Sequence, residues 1–197
     1  MYQTLNNGFL EIIVGGMYAG KSSELIRRII ALSYNKNNHI IAFKPAIDDR
    51  YDKSKISTHI GQKYEAYAIN DYKEISKYLK DCTNIVAVDE VQFFNIGIVD
   101  YLDSLADRGV RVICAGLDMD FARRPFPVTA SLLAKAELIT KLSATCVKCG
   151  KSACYSQRLV NGKPVSEDSP IVQVGGKESY IAVCRKCYQK AVSNMLG

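Results

Sequence analysis

The chain of 197 residues contains no tryptophan, no dense block of lysine and arginine, and no long uninterrupted apolar run. Each absence excludes a class of function. A membrane-spanning helix needs roughly 18 or more consecutive apolar residues, and nothing here approaches that. The opening Met1-Tyr2-Gln3-Thr4-Leu5-Asn6-Asn7 lacks the basic and apolar regions of a secretory leader, so a cytoplasmic location is the expectation. A net charge of +6 is compatible with polyanion binding, but without a dense block of lysine and arginine it is more often the mark of a solvated surface. With 48% hydrophobic and 23% charged residues the composition is that of a globular protein, and the length holds one ordinary domain plus a small appendage.

The most specific stretch present is Gly15-Gly16-Met17-Tyr18-Ala19-Gly20-Lys21-Ser22, a G-x-x-x-x-G-K-[ST] match. Phe9-Leu10-Glu11-Ile12-Ile13-Val14 before it reads as a buried strand, and Glu24 to Ile30 after it carries helical periodicity. Strand, glycine turn and helix are the context this motif requires, and a chance glycine turn is the weaker reading. Phosphates need several N–H donors converging on one small volume, which glycines permit, and the helix N-terminus adds partial positive charge. Lys21 is placed for the β- and γ-phosphates of a nucleotide such as ATP, and the Ser22 hydroxyl for Mg²⁺.

His39 to Lys44 reads as a second strand ended by Pro45, parallel to the first. Residues 46–61 read as a polar loop near the site. Asn70 is placed to cap a helix through Tyr72, Ile75, Ser76 and Leu79. The run Asn84-Ile85-Val86-Ala87-Val88 then delivers Asp89 and Glu90 at the carboxyl end of a strand, the edge where a P-loop also lies. Asp89 is there placed for the metal and Glu90 for the reacting phosphate; the alternative is an acidic loop after a core strand. Ile98 to Asp107 reads as a helix stopped by Gly109, Val110 to Ala115 as a strand, Ser131 to Lys135 as a short helix, and Glu137 to Leu142 as a final strand. The expectation is an α/β fold, a P-loop domain over 1–142 with a small C-terminal unit over 143–197.

Seven cysteines are unevenly spread: Cys146 and Cys149 form one C-x-x-C, Cys184 and Cys187 another, while Cys82, Cys114 and Cys154 stand apart. In a reducing compartment two such pairs favour one tetrahedral Zn²⁺ over disulfides, and four thiolates leave no open position for a catalytic water. Unligated thiols are the alternative. Between the pairs, Gly162, Pro164, Ser166 and Pro170 mark a long irregular excursion with too little core to fold unaided.

The P-loop, Asp89-Glu90-Val91-Gln92-Phe93-Phe94, Gly116-Leu117-Asp118 with Phe121, Val174-Gly175-Gly176 with Tyr180, and the two cysteine pairs follow in an order that closely resembles the zinc-containing class of thymidine kinases, over nearly the whole chain. The resemblance implies a RecA-like parallel sheet, transfer of the γ-phosphate of ATP to the 5′-hydroxyl of thymidine or deoxyuridine in nucleotide salvage, a structural zinc, a homotetramer and feedback inhibition by dTTP. It implies Glu90 as general base, with Asp48, Arg50, Asp89 and Gln92 grouped with the P-loop around phosphates and Mg²⁺. It further implies Phe121 packing on the base, Tyr180 contacting it, and main-chain groups of Ile171, Val172, Gln173, Val174 and Gly175 reading the thymine edge from a flexible lasso. Gly16 and Tyr18 depart from the proline and phenylalanine of that pattern, and neither change removes a phosphate contact. A P-loop ATPase acting on nucleic acid is the competing reading, disfavoured by the missing basic stripe and the lack of a second ATPase motif set; a zinc adaptor leaves the nucleotide motif unexplained.

Overall fold

Short apolar runs alternating with amphipathic helices bury both faces of one sheet. A computed structural model describes residues 8–47, 55–57, 61–169 and 178–189; Asp48, Arg50 and residues 171–175 lie outside that set. In chain order the elements are β1 (Phe9–Val14), α1 (Lys21–Ser33), β2 (Ile40–Pro45), β3 (Lys55–Ser57), β4 (Lys63–Glu65), β5 (Tyr67–Ile69), a 3₁₀ turn (Tyr72–Lys77), β6 (Ile85–Val88), a second 3₁₀ turn (Val91–Phe93), α2 (Ile98–Asp107), β7 (Arg111–Gly116), α3 (Pro127–Lys135) and β8 (Leu138–Lys141). The small C-terminal strands are β9 (Ala144–Thr145), β10 (Ser152–Ala153), β11 (Tyr155–Val160), β12 (Lys163–Pro164) and β13 (Glu178–Val183).

The large sheet runs β5-β2-β6-β7-β1-β8, and its neighbouring strands pair in parallel. Side chains alternate between two cores. Leu10, Ile12, Val14, Val86, Val88, Val112 and Cys114 meet α2 and α3 on one face, while Ile13, Ala87, Ile113 and Ala115 meet Leu25, Ile26 and Ile29 of α1 on the other. Strands buried on both sides lose their polar alternation, which is why these runs read as nearly continuous hydrophobic stretches. Glu11 is the exception in β1. It is fully buried on the α1 face, and its carboxylate accepts from Arg28 at 2.6 Å and Arg111 at 2.5 Å. Arg28 also donates to Glu24 at 2.8 Å and Thr140 at 2.7 Å, so the charge sits inside a network spanning β1, α1, β7 and β8.

Several expectations are corrected. The cap near residue 70 is Asp71, whose carboxylate accepts from Lys73 N–H at 2.9 Å while Glu74 reaches back to Asp71 N–H at 3.0 Å; Asn70 only donates its N–H to Glu74, and the turn is 3₁₀. The reciprocal Asp-x-x-Glu pair outcompetes the neighbouring Asn because it satisfies two N–H donors at once. Part of the loop expected over 46–61 is strand, β3 pairing antiparallel with β4. Helix α3 begins at Pro127, with proline in the first turn, where its missing N–H costs nothing. The excursion between the cysteine pairs is not irregular throughout: β11 pairs with β12 and with all six residues of β13. Asn161 and Gly162, both at positive φ (51° and 77°), make the two-residue hairpin turn that Asn-Gly favours.

Candidate active site

Because the sheet is parallel, the carboxyl ends of β1, β6 and β7 open on one edge, with β6 separated from β1 by β7 alone, roughly 10 Å. The glycine turn after β1 enters α1 through Gly20, at φ 83°, a left-handed geometry that costs glycine little. Lys21 is buried on the first turn of α1, and its Nζ donates to the Gly16 carbonyl at 2.9 Å, lying back across the loop.

Asp89 follows β6 and is almost fully buried, its N–H donating to the Phe43 carbonyl at 2.9 Å. Burial first, and then the neighbouring Glu90 charge, push its carboxyl up to about 7, opposed by a hydrogen bond from Ser22 and the charge of Lys21. Ser22, Lys21 and Asp89 therefore meet in one place. A carboxylate raised this far by a dry setting beside another carboxylate is the donor set a divalent cation relieves, so Ser22 and Asp89 fit Mg²⁺.

Glu90 stands at φ 48°, ψ 41°, a left-handed conformation uncommon outside glycine. Such strain persists where the surroundings over-determine it, and it clusters at functional positions. The constraint is visible: Gln92 Nε2 donates to Glu90 Oε2 at 2.5 Å, and Gln92 Oε1 accepts from Leu117 N–H at 3.0 Å. Gln92 thus ties the acidic pair after β6 to the end of β7, and its amide stands beside the acid. Lys44, at the carboxyl end of β2, is a further deeply buried cation on this edge that sequence reasoning passes over.

The C-terminal strands sit directly on the glycine turn. Ser156 Oγ of β11 accepts from Met17 N–H at 2.8 Å, and Tyr18 Oη donates to the Tyr180 carbonyl of β13 at 3.1 Å. A Cβ at Gly16 would stand 3.3 Å from both the Cys154 carbonyl and Ser156 Oγ, so the absence of a side chain there permits this close seating. Two residues on from Ser156, Arg158 is buried at 1% exposure with its guanidinium 5.3 Å from the Phe121 ring. Phe121 itself is 5% exposed, in the turn between β7 and α3. Phe121, Tyr180, the glycine turn and the acidic pair are therefore brought to one side of the molecule. Sequence reasoning misses Ser156 and Arg158, because Tyr155-Ser156-Gln157-Arg158-Leu159-Val160 has no apolar–polar alternation and only the Asn161-Gly162 that follows is a readable hairpin signal.

Cys146, Cys149, Cys184 and Cys187 converge with all four sulfurs within 4.8 Å of one another, and Cys149 Sγ to Cys184 Sγ is 3.6 Å. A tetrahedron of Zn–S bonds of about 2.3 Å puts its sulfurs about 3.8 Å apart, whereas a disulfide requires about 2.05 Å. The spacing fits zinc and excludes a bridge between these two. Burial works against ionising Cys146, yet N–H donors of Cys184, Lys148 and Cys149 hold its thiol down at about 6. Hydrogen bonding with Cys149 and Cys184 pushes Cys187 up to about 12, so without a metal these neighbouring thiols oppose one another's ionisation. A divalent cation removes that conflict.

A sequence profile for thymidine kinase matches residues 8–188. The chain belongs to the thymidine kinase family. Family membership makes it a nucleotide-using kinase. A solved ATPase domain superposes with a TM-score of 0.50 at 11% identity, covering 91% of this chain and 86% of that one, which is a likeness of fold. Domain III of the replication initiation protein DnaA from Thermotoga maritima (TM-score 0.40, 15% identity, 68% of this chain) and the ATPase DotB from Legionella pneumophila (0.45, 14%, 74%) are more distant. This chain spans about half of each of those two, 55% and 44%. No described helix is long and apolar enough to cross a membrane.

Proposed function

We propose that this family member transfers the γ-phosphate of ATP to the 5′-hydroxyl of thymidine or deoxyuridine, giving the nucleoside monophosphate and ADP. The observation that carries the reading is the meeting of Lys21, Ser22, Asp89 and Glu90 at one sheet edge beneath β11 and β13. An alcohol is a poor nucleophile at neutral pH. Glu90, held by Gln92, accepts the 5′-hydroxyl proton as the oxygen–phosphorus bond forms and the bond from the γ-phosphorus to its bridging oxygen breaks. Lys21 and the turn amides neutralise the developing charge, with Ser22 and Asp89 holding Mg²⁺, which when bound supplies further charge neutralisation. Asp48 and Arg50 are assigned to the same phosphates by family resemblance. Phe121 packs on the base, Tyr180 lies beside it, and the main chain of 171–175 reads its edge.

In this reading residues 1–142 form the nucleotide-binding unit and 143–197 a unit stapled by structural zinc, which closes over the nucleoside and excludes water from the transfer. A cytoplasmic homotetramer inhibited by dTTP, with no nucleic-acid partner, completes the proposal. The test is direct: purified protein is mixed with ATP, Mg²⁺ and each of the four deoxynucleosides. Transfer confined to thymidine, and to deoxyuridine when that is supplied, supports the reading; ATP hydrolysis stimulated by DNA, with no transfer, overturns it.

A further inference from the structure

The turn between β7 and α3 holds its own shape. Asp120 Oδ1 accepts from Ala122 N–H and Arg124 N–H, each at 2.8 Å, and Arg123 adopts φ 67° at its apex. What fixes where this turn points lies in the other unit. Tyr188 Oη donates to the Phe121 carbonyl at 2.8 Å, across 67 residues of chain. The Arg123 guanidinium stacks 5.3 Å from the Tyr188 ring and 4.4 Å from Tyr155, and the two tyrosine rings meet edge to face at 5.9 Å.

Tyr188 is in turn fastened to the cysteine cluster. It directly follows Cys187, and both N–H groups donate to the Cys184 carbonyl, Cys187 at 3.1 Å and Tyr188 at 3.0 Å. The ring leaves the knuckle in a direction set by the turn that the second cysteine pair makes. Its hydroxyl reaches the backbone of the residue assigned to the base. We propose that Tyr188 is a positioning residue for nucleoside binding: it transmits the geometry of the cysteine knuckle to Phe121 and so sets the height of the aromatic ring on which the base packs. The inference rests on the assignment of Phe121 to the base. A residue whose carbonyl is anchored by one hydrogen bond and whose ring has the buried Arg158 guanidinium 5.3 Å away has a narrow range of positions.

The alternative role for Tyr188 is packing alone, and substitution by phenylalanine separates the two, because it keeps the ring stack with Arg123 and Tyr155 and removes only the donor. Steady-state kinetics on wild type, Tyr188→Phe, Phe121→Leu and the double variant, with zinc content determined for each, form the test. The expected result is a rise of about five-fold in KM for thymidine in Tyr188→Phe, the size of one ordinary hydrogen bond. KM for ATP and bound zinc stay at wild-type values, and the double variant matches Phe121→Leu alone, because the two residues act through one contact. A thymidine KM for Tyr188→Phe within about two-fold of wild type, beside a raised KM in Phe121→Leu, overturns the role of Tyr188 and leaves the base assignment standing. Multiplicative effects in the double variant, a parallel rise in KM for ATP, or loss of zinc from Tyr188→Phe overturn it equally. A wild-type KM in Phe121→Leu overturns the base assignment and the inference together.

Discussion

The two ends of the candidate site are built on different principles. The phosphate end rests on a six-stranded parallel sheet whose strands are buried on both faces, so Lys21, Ser22, Asp89 and Glu90 are placed by elements that cannot shift without disturbing two cores. The end that the proposed function gives to the nucleoside rests on a turn, three short antiparallel strands and a core of a few residues gathered around Cys146 and Cys184. Its order comes from cross-links: four cysteines on one centre, Arg123 between two tyrosines, and single hydrogen bonds to the neighbouring unit. Chemistry that must be placed to a fraction of an ångström sits on the stiff half. In the proposed function, recognition of a base, which must admit and release a ligand, falls to the half that the four-cysteine cluster and a few contacts hold in shape.

The phosphate end is most sensitive at Glu90. Glu90→Gln keeps the side chain's shape and its contact with Gln92 but removes proton acceptance, and turnover is expected to fall on the order of 10³-fold while ATP binding, followed by calorimetry, is retained. Unchanged turnover removes Glu90 as the base. Cys184→Ser attacks the other half: zinc is lost, as metal analysis would read, and KM for thymidine rises by on the order of ten-fold or more while ATP affinity changes little. Full zinc content with wild-type kinetics would refute the four-cysteine centre. Equal losses in both substrates would remove the division between halves.

Stability sharpens the contrast within the sheet itself. Glu11→Ala removes the buried carboxylate that Arg28 and Arg111 share, and a cost of about 3 kcal/mol is expected in chemical denaturation, with the metal content of the cysteine cluster unchanged. A loss below about 0.5 kcal/mol would show that solvent reaches these arginines and supports them. A last effect concerns pH. The Asp89 carboxyl, raised to about 7, binds its proton more tightly in the folded protein than in the unfolded chain, where it titrates near 4. Between those values the folded state holds more protons, so the ligand-free protein loses stability as pH rises from about 4 to about 7 and carries the whole penalty above that. Asp89→Asn is therefore expected to be more stable than wild type at about pH 8 and no more stable at about pH 4, the difference growing across the interval between the two pKa values. A stabilisation that does not depend on pH would show that Asp89 is not the titrating group.

Much of this was legible from local pattern. The strand, glycine turn and helix around Lys21 declare themselves because each depends on its immediate neighbours: glycine for a left-handed entry, an apolar run for a buried strand, a 3.6-residue period for α1. Cysteine spacing announces a four-thiol cluster fit for a metal for the same reason, since each C-x-x-C is a local loop of fixed reach. Where several local signals compete, residues a few positions away decide which one wins. Asp71 displaced Asn70 as cap because of Glu74 three residues on, and Asn161-Gly162 made a hairpin inside a stretch rich in loop-forming residues.

The sequence alone determined which chemical groups exist and which short elements carry them, because backbone propensity, capping and motif spacing are settled within a few residues. Only tertiary structure decided their companions: Ser156 on the Met17 amide 139 residues away, Arg158 against Phe121, Tyr188 on its carbonyl, and Glu11 between two arginines. Such contacts depend on strand order and on how one unit seats against another, and a buried polar side chain reads in sequence no differently from an exposed one until its partner arrives from the far end of the chain.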